Sequence, residues 1–298
     1  MLKFFHSFIN RYDIDDDVRE YLSGCAEKTV AEYSAELSSI LNAYREANYD
    51  WGAIAKDKDA LAERAGINAY TLSFIILVMS AEHTLGEYRK SGYSEKIFYD
   101  TFEDIIYKLK ECITVKGVAG IFVEGWYSGF YRLGTFKLGR LEFAAAKYYG
   151  ELPYEKDGLR ITSDDMVITV HIPSCGPFPR ALREESYAMA CEFYRKHFPE
   201  YFKGDKLVFT CNSWLLFPEL KEILPSHLNM VDFLSDFDII SERTDEGYKN
   251  GWRLFGVEYD GNPDHLPANT TARRCIVNWL KSGKDMGTGF GVKVYSSN

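Results

Sequence analysis

The sequence predicts an α+β protein in which a helical N-terminal region is followed by a mixed, twisted β-sheet flanked by helices. Up to about residue 130, apolar residues recur at the spacing of an amphipathic helix. From residue 132 they alternate as in half-buried strands, and residues 166–216 have the pattern strand, loop, helix, strand. We therefore expect a helical domain over residues 1–130 and a sheet domain over residues 131–298.

The helical half is divided by short polar joints. An acidic first turn at residues 15–17 favours a helix that Gly24 should end, and a longer amphipathic helix is expected over residues 31–47. Residues 70–88 are apolar nearly all round at their start, which predicts a central buried helix. Residues 98–112 predict one more amphipathic helix.

The sheet half begins with alternating residues at 132–143 and 159–170. Residues 166–172 are rich in β-branched side chains, and Pro173 ends this strand because it has no N–H to donate. A helix is expected from Ala181 to about His197, before a long buried strand. The other expected elements are the buried strand at 206–216, helices at 218–224, 230–233 and 271–281, and strands at 237–242, 252–258 and 287–295.

Composition narrows the class of protein and of partner. With 46% hydrophobic and 27% charged residues, the 298-residue chain has the composition of a soluble globular protein. Its 35 basic and 44 acidic residues give a net charge of −9, which argues against nucleic acid and anionic membranes as partners. The longest apolar run, 74–79, is far shorter than the roughly 20 residues that span a bilayer. With no signal peptide recognisable, a cytoplasmic location is expected.

The six cysteines are scattered, with no C-x-x-C pair and no Cys/His spacing suited to zinc. We read them as reduced thiols and expect no metal.

The loop at residues 174–180, between the predicted strand and helix, is the best candidate for an anion site. A helix N-terminus carries unpaired N–H groups and partial positive charge, and Arg180 and Arg183 add full charges. Pro177 and Pro179, in contrast, remove two N–H donors. Any α/β crossover produces such a loop, so a purely structural turn remains the alternative.

Four sequence blocks, in order and at consistent spacing, carry a family resemblance. They are residues 136–143 (FKLGRLEF), 171–176 (HIPSCG), 211–218 (CNSWLLFP), and the pair 266–270 (LPANT) with 287–291 (GTGFG). In these blocks the chain resembles a two-domain bacterial acyltransferase family, with a helical N-terminal N-acyltransferase domain and a C-terminal domain similar to the GNAT fold of N-acetyltransferases. The resemblance covers most of the chain and is strongest from Arg132 onward.

The resemblance implies a GNAT-like sheet in which the parallel strands 166–172 and 207–216 splay apart to admit the pantetheine arm of an acyl-CoA. It also implies acetyl-CoA or another acyl-CoA as co-substrate, a small-molecule amine or peptide as acceptor, and direct transfer in a cleft between the helical domain and the sheet. The loop after the first strand would hold the pyrophosphate, although it has one glycine and two prolines where better-studied GNAT enzymes have a Gln/Arg-x-x-Gly-x-Gly/Ala pattern. The expected CoA-binding residues are Ile172, Pro173, Ser174, Cys175, Gly176, Phe178, Arg180 and Arg183.

Direct transfer to an amine needs a general base, and two residues are candidates. His171 ends the first strand, and imidazole titrates near neutral pH. Glu142 is a carboxylate on an otherwise apolar strand, where a raised pKa is expected. The structural alternatives are a histidine bonded to a neighbouring element and a glutamate paired with Arg140 or Arg160.

Cys211 and Ser213 share one face of the second strand, since successive side chains alternate. They are expected to line the pantetheine slot or to donate to the departing thiolate, with plain packing as the alternative for Cys211. Two other readings of the whole chain stay open: a hydrolase in which Cys211 or Cys175 pairs with His171, and a non-catalytic acyl-CoA or small-molecule sensor.

Overall fold

The computed structural model of the chain describes residues 1–245 and 247–296. The chain divides into two compact units, Met1–Phe136 and Lys137–Asn298. The division in the sequence falls a few residues after residue 130, where the domain boundary is expected. That domain boundary stays a prediction. Each unit is described by itself.

The first unit is helical. Its central helix, α4, is buried along most of its length and packs against α1, α2, α3, α5 and α6. This confirms the buried helix predicted over residues 70–88. The helices of this unit are α1 (Leu2–Ile9), α2 (Asp16–Glu46), α3 (Ala55–Ala65), α4 (Ala69–Lys90), α5 (Glu95–Phe102), α6 (Asp104–Lys116) and α7 (Ser128–Tyr131).

Two helix boundaries differ from the prediction. Gly24 does not end a helix, because α2 continues through it and departs from helical geometry only at Tyr33, where φ is −131°. A glycine inside a helix costs about 1 kcal/mol, and the burial of Leu22 and Ala26 on either side outweighs that penalty. The single helix expected over residues 98–112 is instead the pair α5 and α6.

No single helix within residues 1–245 and 247–296 is long and apolar enough to cross a membrane. Helices α3 and α4 reach that length and hydropathy only when taken together across a bend of 116°.

The second unit is built on a six-stranded mixed sheet in the order β1-β2-β5-β6-β8-β7, with β3 and β4 forming a separate hairpin. The pair β5 and β6 is parallel, whereas β2 with β5, β6 with β8, and β7 with β8 are antiparallel. The predicted α+β class, a helical region followed by a mixed sheet flanked by helices, is confirmed. The strands are β1 (Thr135–Leu138), β2 (Leu141–Lys147), β3 (Tyr154–Lys156), β4 (Leu159–Ile161), β5 (Met166–His171), β6 (Lys206–Ser213), β7 (Asp238–Thr244) and β8 (Gly287–Ser296).

The helices of the second unit are α8 (Arg180–His197), α9 (Leu220–Ile223), α10 (Asn229–Leu234), α11 (Trp252–Phe255) and α12 (Thr271–Lys281). Helices α8 and α12 match the predicted ranges. The strand predicted at 252–258 is wrong: α11 occupies its start and ends at Gly256, whose φ of 72° caps the helix. The strand predicted to run to residue 216 stops at Ser213, because its Oγ accepts from the Leu215 N–H and starts a 3₁₀ turn, Trp214–Leu216.

The two faces of the sheet pack against different elements. On one face, Val167, Val208 and Val292 form a core with Tyr154 and Ile161 of the β3–β4 hairpin. On the other face lies α8, whose Tyr187 ring stands 5.3 Å from the ring of Phe209. The first face is called the hairpin face below, and the second the α8 face.

The glycine-rich end of the chain is a strand, as predicted, but it lies inside the sheet between β6 and β7. Gly289 and Gly291 pair with Ser213 and Cys211 and therefore lack a side chain on the α8 face. A Cβ added to Gly289 would stand 2.0 Å from the carbonyl oxygen of Leu216. The glycine therefore allows the 3₁₀ turn after β6 to lie directly on β8.

Candidate active site

The candidate site lies where β5 and β6 stop pairing. Their ladder has two register pairs, Ile168 with Phe209 and Thr169 with Thr210, although β5 continues to His171 and β6 to Ser213. The hydroxyl oxygens of Thr169 and Thr210 stand 3.4 Å apart at the last pair. Among the described residues, β5 and β6 form no further register pair after this one, although both strands continue.

Polar side chains line the hairpin face at this point. Glu142 on β2 is directly opposite His171 on β5. Side chains directly opposite each other in an antiparallel pair have Cβ atoms about 5 Å apart and can interact. Because side chains alternate, Thr169 and Thr210 share their face, and so does Asn212 on β6. The two residues that the sequence offers as rival bases are therefore neighbours.

The two members of this pair differ in environment. The Glu142 side chain is buried, with a relative exposure of 1%, and His171 is half-buried. Burial lowers the pKa of His171 to about 4. At neutral pH the imidazole is therefore uncharged, with one ring nitrogen able to accept a proton.

This low pKa predicts a pH-dependent stability. The folded-state pKa lies below the value of about 6.5 expected for an unfolded chain, so the unfolded state binds more protons between these values. The contribution of His171 to the free energy of unfolding should be present above pH 6.5 and lost as the pH falls towards 4. Urea denaturation at several pH values should show a smaller loss for His171→Gln than for the wild type. An equal loss in both proteins would contradict the prediction.

The structure places Cys211 and Ser213 on the α8 face, opposite to His171. Cys211 is fully buried and pairs with Gly291, and burial raises the pKa of its thiol far above the usual range. The thiol is therefore protonated and separated by the sheet from the imidazole, which excludes a Cys211–His171 dyad. The Ser213 hydroxyl accepts from the Leu215 N–H at 3.2 Å. Cys175 is half-buried in the loop after β5.

Arg140, which was not among the predicted site residues, holds this loop. Its Nε donates to the Pro177 carbonyl at 3.0 Å and its Nη2 to the Gly176 carbonyl at 2.6 Å. Arg183 Nη1 donates to the Phe178 carbonyl at 2.9 Å. A buried arginine in the turn between two apolar strands was the available signal, because such a charge needs partners.

These contacts determine which backbone donors the loop presents. In a trans peptide unit the C=O and the N–H point in opposite directions, and residues 1–245 and 247–296 contain no cis bond. The carbonyls of Gly176, Pro177 and Phe178 point to guanidinium groups, so the N–H groups of the same units point away from them. The nitrogen in two of these three peptide units belongs to Pro177 or Pro179 and carries no hydrogen. The N–H of Phe178 is therefore the one outward-pointing donor among the three units.

Arg183, which the sequence predicts to bind phosphate, makes its side-chain contacts within the protein. Its guanidinium is fully buried, and Nε and Nη2 donate to the Asp236 carboxylate at 2.6 and 2.8 Å. Nη2 also donates to Asp232 at 2.8 Å. Arg180 is exposed, and its Nη2 donates to Asp232 and Ser235 at 2.5 and 2.8 Å. Arg183 thus forms a buried ion pair with Asp236, whereas the Arg180 side chain lies at the surface.

The remaining predicted CoA-binding residues lie in the loop itself. Ser174 and Gly176 are exposed, Ile172 and Phe178 are half-buried, and Pro173 is buried. Gly176 has a φ of 99°, which glycine adopts without strain. Helix α8 begins after the loop, and no side chain of the described residues caps its start. The N–H groups of Leu182 and Arg183 donate to the Pro179 carbonyl, so those of Arg180 and Ala181 are the ones that can meet an anion.

Within residues 1–245 and 247–296, no group of three or more His, Cys, Asp or Glu side chains is placed to hold a metal ion.

Comparison with known proteins identifies both halves. A family model for an N-acyltransferase N-terminal domain matches residues 3–133, and one for a GNAT-like C-terminal domain matches residues 135–293. A search of curated proteins found no match.

Solved structures similar to this chain include several acyltransferase complexes. One, with decanoyl-CoA and teicoplanin, has a TM-score of 0.72 and 19% identity and covers 97% of this chain and 86% of that chain. Another, with decanoyl-CoA, has a TM-score of 0.69 and 20% identity, covering 94% and 88%. A third, with CoA and 10C-Teicoplanin, has a TM-score of 0.68 and 20% identity, covering 93% and 87%.

At such identities the solved structures show the fold, and the family models show the relationship. Together the two models cover nearly the whole chain and confirm the resemblance seen in the sequence blocks. The chain belongs to the two-domain acyltransferase family that combines an N-acyltransferase N-terminal domain with a GNAT-like C-terminal domain.

Proposed function

We propose that the protein transfers an acyl group from acyl-CoA directly to an amine of a small-molecule or peptide acceptor. The observation that carries the proposal is the facing pair of Glu142 and His171, next to the end of the β5–β6 ladder. A family fold alone does not define a reaction, but this pair offers a base where a thioester would lie.

The donor would bind along the diverging strands. We place the pantetheine arm in the gap beyond Thr169 and Thr210, the last register pair between β5 and β6. The pyrophosphate would then meet the N–H groups of Cys175, Gly176 and Phe178 and the open start of α8. The complexes of the similar acyltransferases with CoA and decanoyl-CoA support this choice of donor.

The reaction would need one proton transfer to the protein. The neutral His171 accepts a proton from the acceptor ammonium. Its low pKa opposes this step, and the Glu142 carboxylate opposite would offset that cost by stabilising the imidazolium that forms. The free amine attacks the thioester carbonyl and a C–N bond forms. The C–S bond then breaks, and the second proton of the amine passes to the departing thiolate, which leaves as the CoA thiol. No covalent enzyme intermediate is required.

Calorimetric titration with acetyl-CoA, decanoyl-CoA, CoA and desulfo-CoA tests the donor site. We expect saturable binding, and no binding of any of these at millimolar ligand would overturn the proposal. Acetyl is the acyl group that the sequence resemblance predicts, whereas similar structures contain decanoyl-CoA. A donor series from acetyl- to decanoyl-CoA, compared by kcat/KM, would identify the preferred chain length.

A non-catalytic acyl-CoA sensor is the second candidate. It is favoured by the loop between β5 and α8, where two prolines remove donors that a phosphate would use. Turnover separates the two functions: an enzyme releases free CoA in the presence of some amine, whereas a sensor binds CoA and releases none.

A further inference from the structure

We infer that a cavity on the hairpin face, between β6 and the end of β7, is the acceptor's subsite and binds a carboxylate carried by the acceptor. The cavity has a volume of about 210 Å³. The inference rests on the proposed function, because it assumes that the reacting amine meets Glu142 and His171. It adds the class of acceptor: a molecule of tripeptide size with a free amine at one end and a carboxylate at the other.

The strand register places the cavity in the same row of side chains as Glu142 and His171. Ile168 pairs with Phe209, so His171 and Asn212 each lie three residues beyond that pair, on the same face and on opposite sides of the gap between the two strands. Asn212 pairs with Phe290, and Phe290 pairs with Ser241. One row therefore crosses the sheet from Glu142 to Ser241, and its last three members line the cavity. The cavity begins on the strand next to His171.

Arg243 supplies the charge that would hold a carboxylate. Its Nε donates to the Thr288 hydroxyl at 3.2 Å, and this bond orients the guanidinium in the cavity wall. Within residues 1–245 and 247–296, Nη1 and Nη2 of Arg243 have no hydrogen-bond or ion-pair partner. Nη1 and Nη2 can therefore bind a carboxylate through two parallel hydrogen bonds.

The other residues that line the cavity favour the acceptor over the acyl chain of the donor as its occupant. Glu151, Glu242, Asn212 and Thr288 make the wall polar, which disfavours the apolar tail of a donor because their groups would lose water without gaining partners. One apolar side remains, where the rings of Tyr149 and Phe290 lie 4.8 Å apart. The cavity therefore suits a polar acceptor better than an acyl chain, with its carboxylate at Arg243 and away from Glu151 and Glu242, which repel an anion.

The spacing of the strands sets the size of the acceptor. Paired strands lie about 4.8 Å apart, so the two paired steps from β6 to β7 span roughly 10 Å. The step from β5 to β6, which is no longer paired here, adds at least about 5 Å, less the reach of the side chains at each end. A free α-amino acid, whose amine and carboxylate share one carbon, is too short to bridge this gap. An extended peptide covers about 3.4 Å per residue, so three residues span roughly 10 Å.

The test compares triglycine with triglycinamide as acceptors, since the pair differs at the carboxylate. For the wild type we expect a KM at least about tenfold lower for triglycine, as for a charge-assisted bidentate contact. In Arg243→Gln the ratio of the two KM values should fall to about one. Arg160→Gln removes an exposed arginine of the same unit that pairs with Glu155, and it should retain the wild-type ratio. Thermal unfolding of each variant confirms that it is folded.

Three outcomes would overturn the inference: equal KM values for the two peptides in the wild type, an unchanged ratio in Arg243→Gln, or acylation of other amines with neither peptide accepted. Failure of the proposed function looks different. In that case the wild type neither binds acyl-CoA in the calorimeter nor releases CoA with any amine.

Discussion

Replacing Glu142 or His171 by glutamine is expected to lower kcat by about a hundredfold or more, in line with the usual contribution of a positioned general base. Glutamine keeps the approximate size of either side chain, but it can neither take up the proton of the acceptor ammonium in place of His171 nor stabilise the imidazolium in place of Glu142. The dissociation constant for acyl-CoA should change little, because neither residue belongs to the loop that would hold the phosphates. Steady-state release of CoA and calorimetric titration measure the two quantities on the same preparations.

Cys211→Ala is the matched control for these variants. It lies at the same end of the sheet but on the α8 face, so turnover should persist in this variant, and thiol alkylation of the wild type should not abolish turnover. Unchanged turnover in Glu142→Gln or His171→Gln would remove that residue as the base. If the Cys211→Ala protein binds acyl-CoA but no longer releases CoA, the Cys211 thiol takes part in the reaction.

Arg183→Met should lower the free energy of unfolding by about 3–5 kcal/mol, the usual effect of removing one partner from a buried ion pair. The Arg183 and Asp236 side chains have relative exposures of 0% and 1%, so the substitution leaves a carboxylate buried without its cation. It also releases the Phe178 carbonyl of the loop. Urea denaturation followed by circular dichroism measures the loss.

Arg180→Met provides the comparison for this second experiment. Arg180 pairs with the same Asp232, but its side chain is 55% exposed, and exposed pairs contribute about 0–1 kcal/mol. Equal losses in the two variants would contradict the distinction drawn between the arginines. The double variant Arg183→Met, Asp236→Leu should recover part of the stability, since it removes the uncompensated charge as well.

The sequence predicts elements well where the signal is local. Helix α12 was predicted with its observed ends, because Thr270 caps its start and its apolar side recurs at helical spacing. The prediction at 252–258 was wrong because apolar residues in so short a run do not distinguish strand from helix. The helix end predicted at Gly24 was wrong because the packing of the residues on both sides of Gly24 keeps the helix continuous.

The site could be predicted only in part. His171 and Glu142 were both identified from their residue types, but their pairing across the β2–β5 ladder is a matter of register between distant segments. The same holds for Arg183, whose partners lie 49 and 53 residues away in the chain. Whether an arginine serves a ligand or the fold depends on such partners, and a single sequence does not contain them.

Arg140, Arg183 and the two prolines also affect the entropy of any ligand that binds the loop between β5 and α8. The guanidinium groups tether three successive carbonyls, and each proline restricts its own φ, so the loop has few alternative shapes to lose on binding. A preorganised loop with few donors can therefore match the affinity of a flexible one with more donors, since ordering is completed during folding. Loosening the tether should weaken ligand binding mainly through a more unfavourable binding entropy.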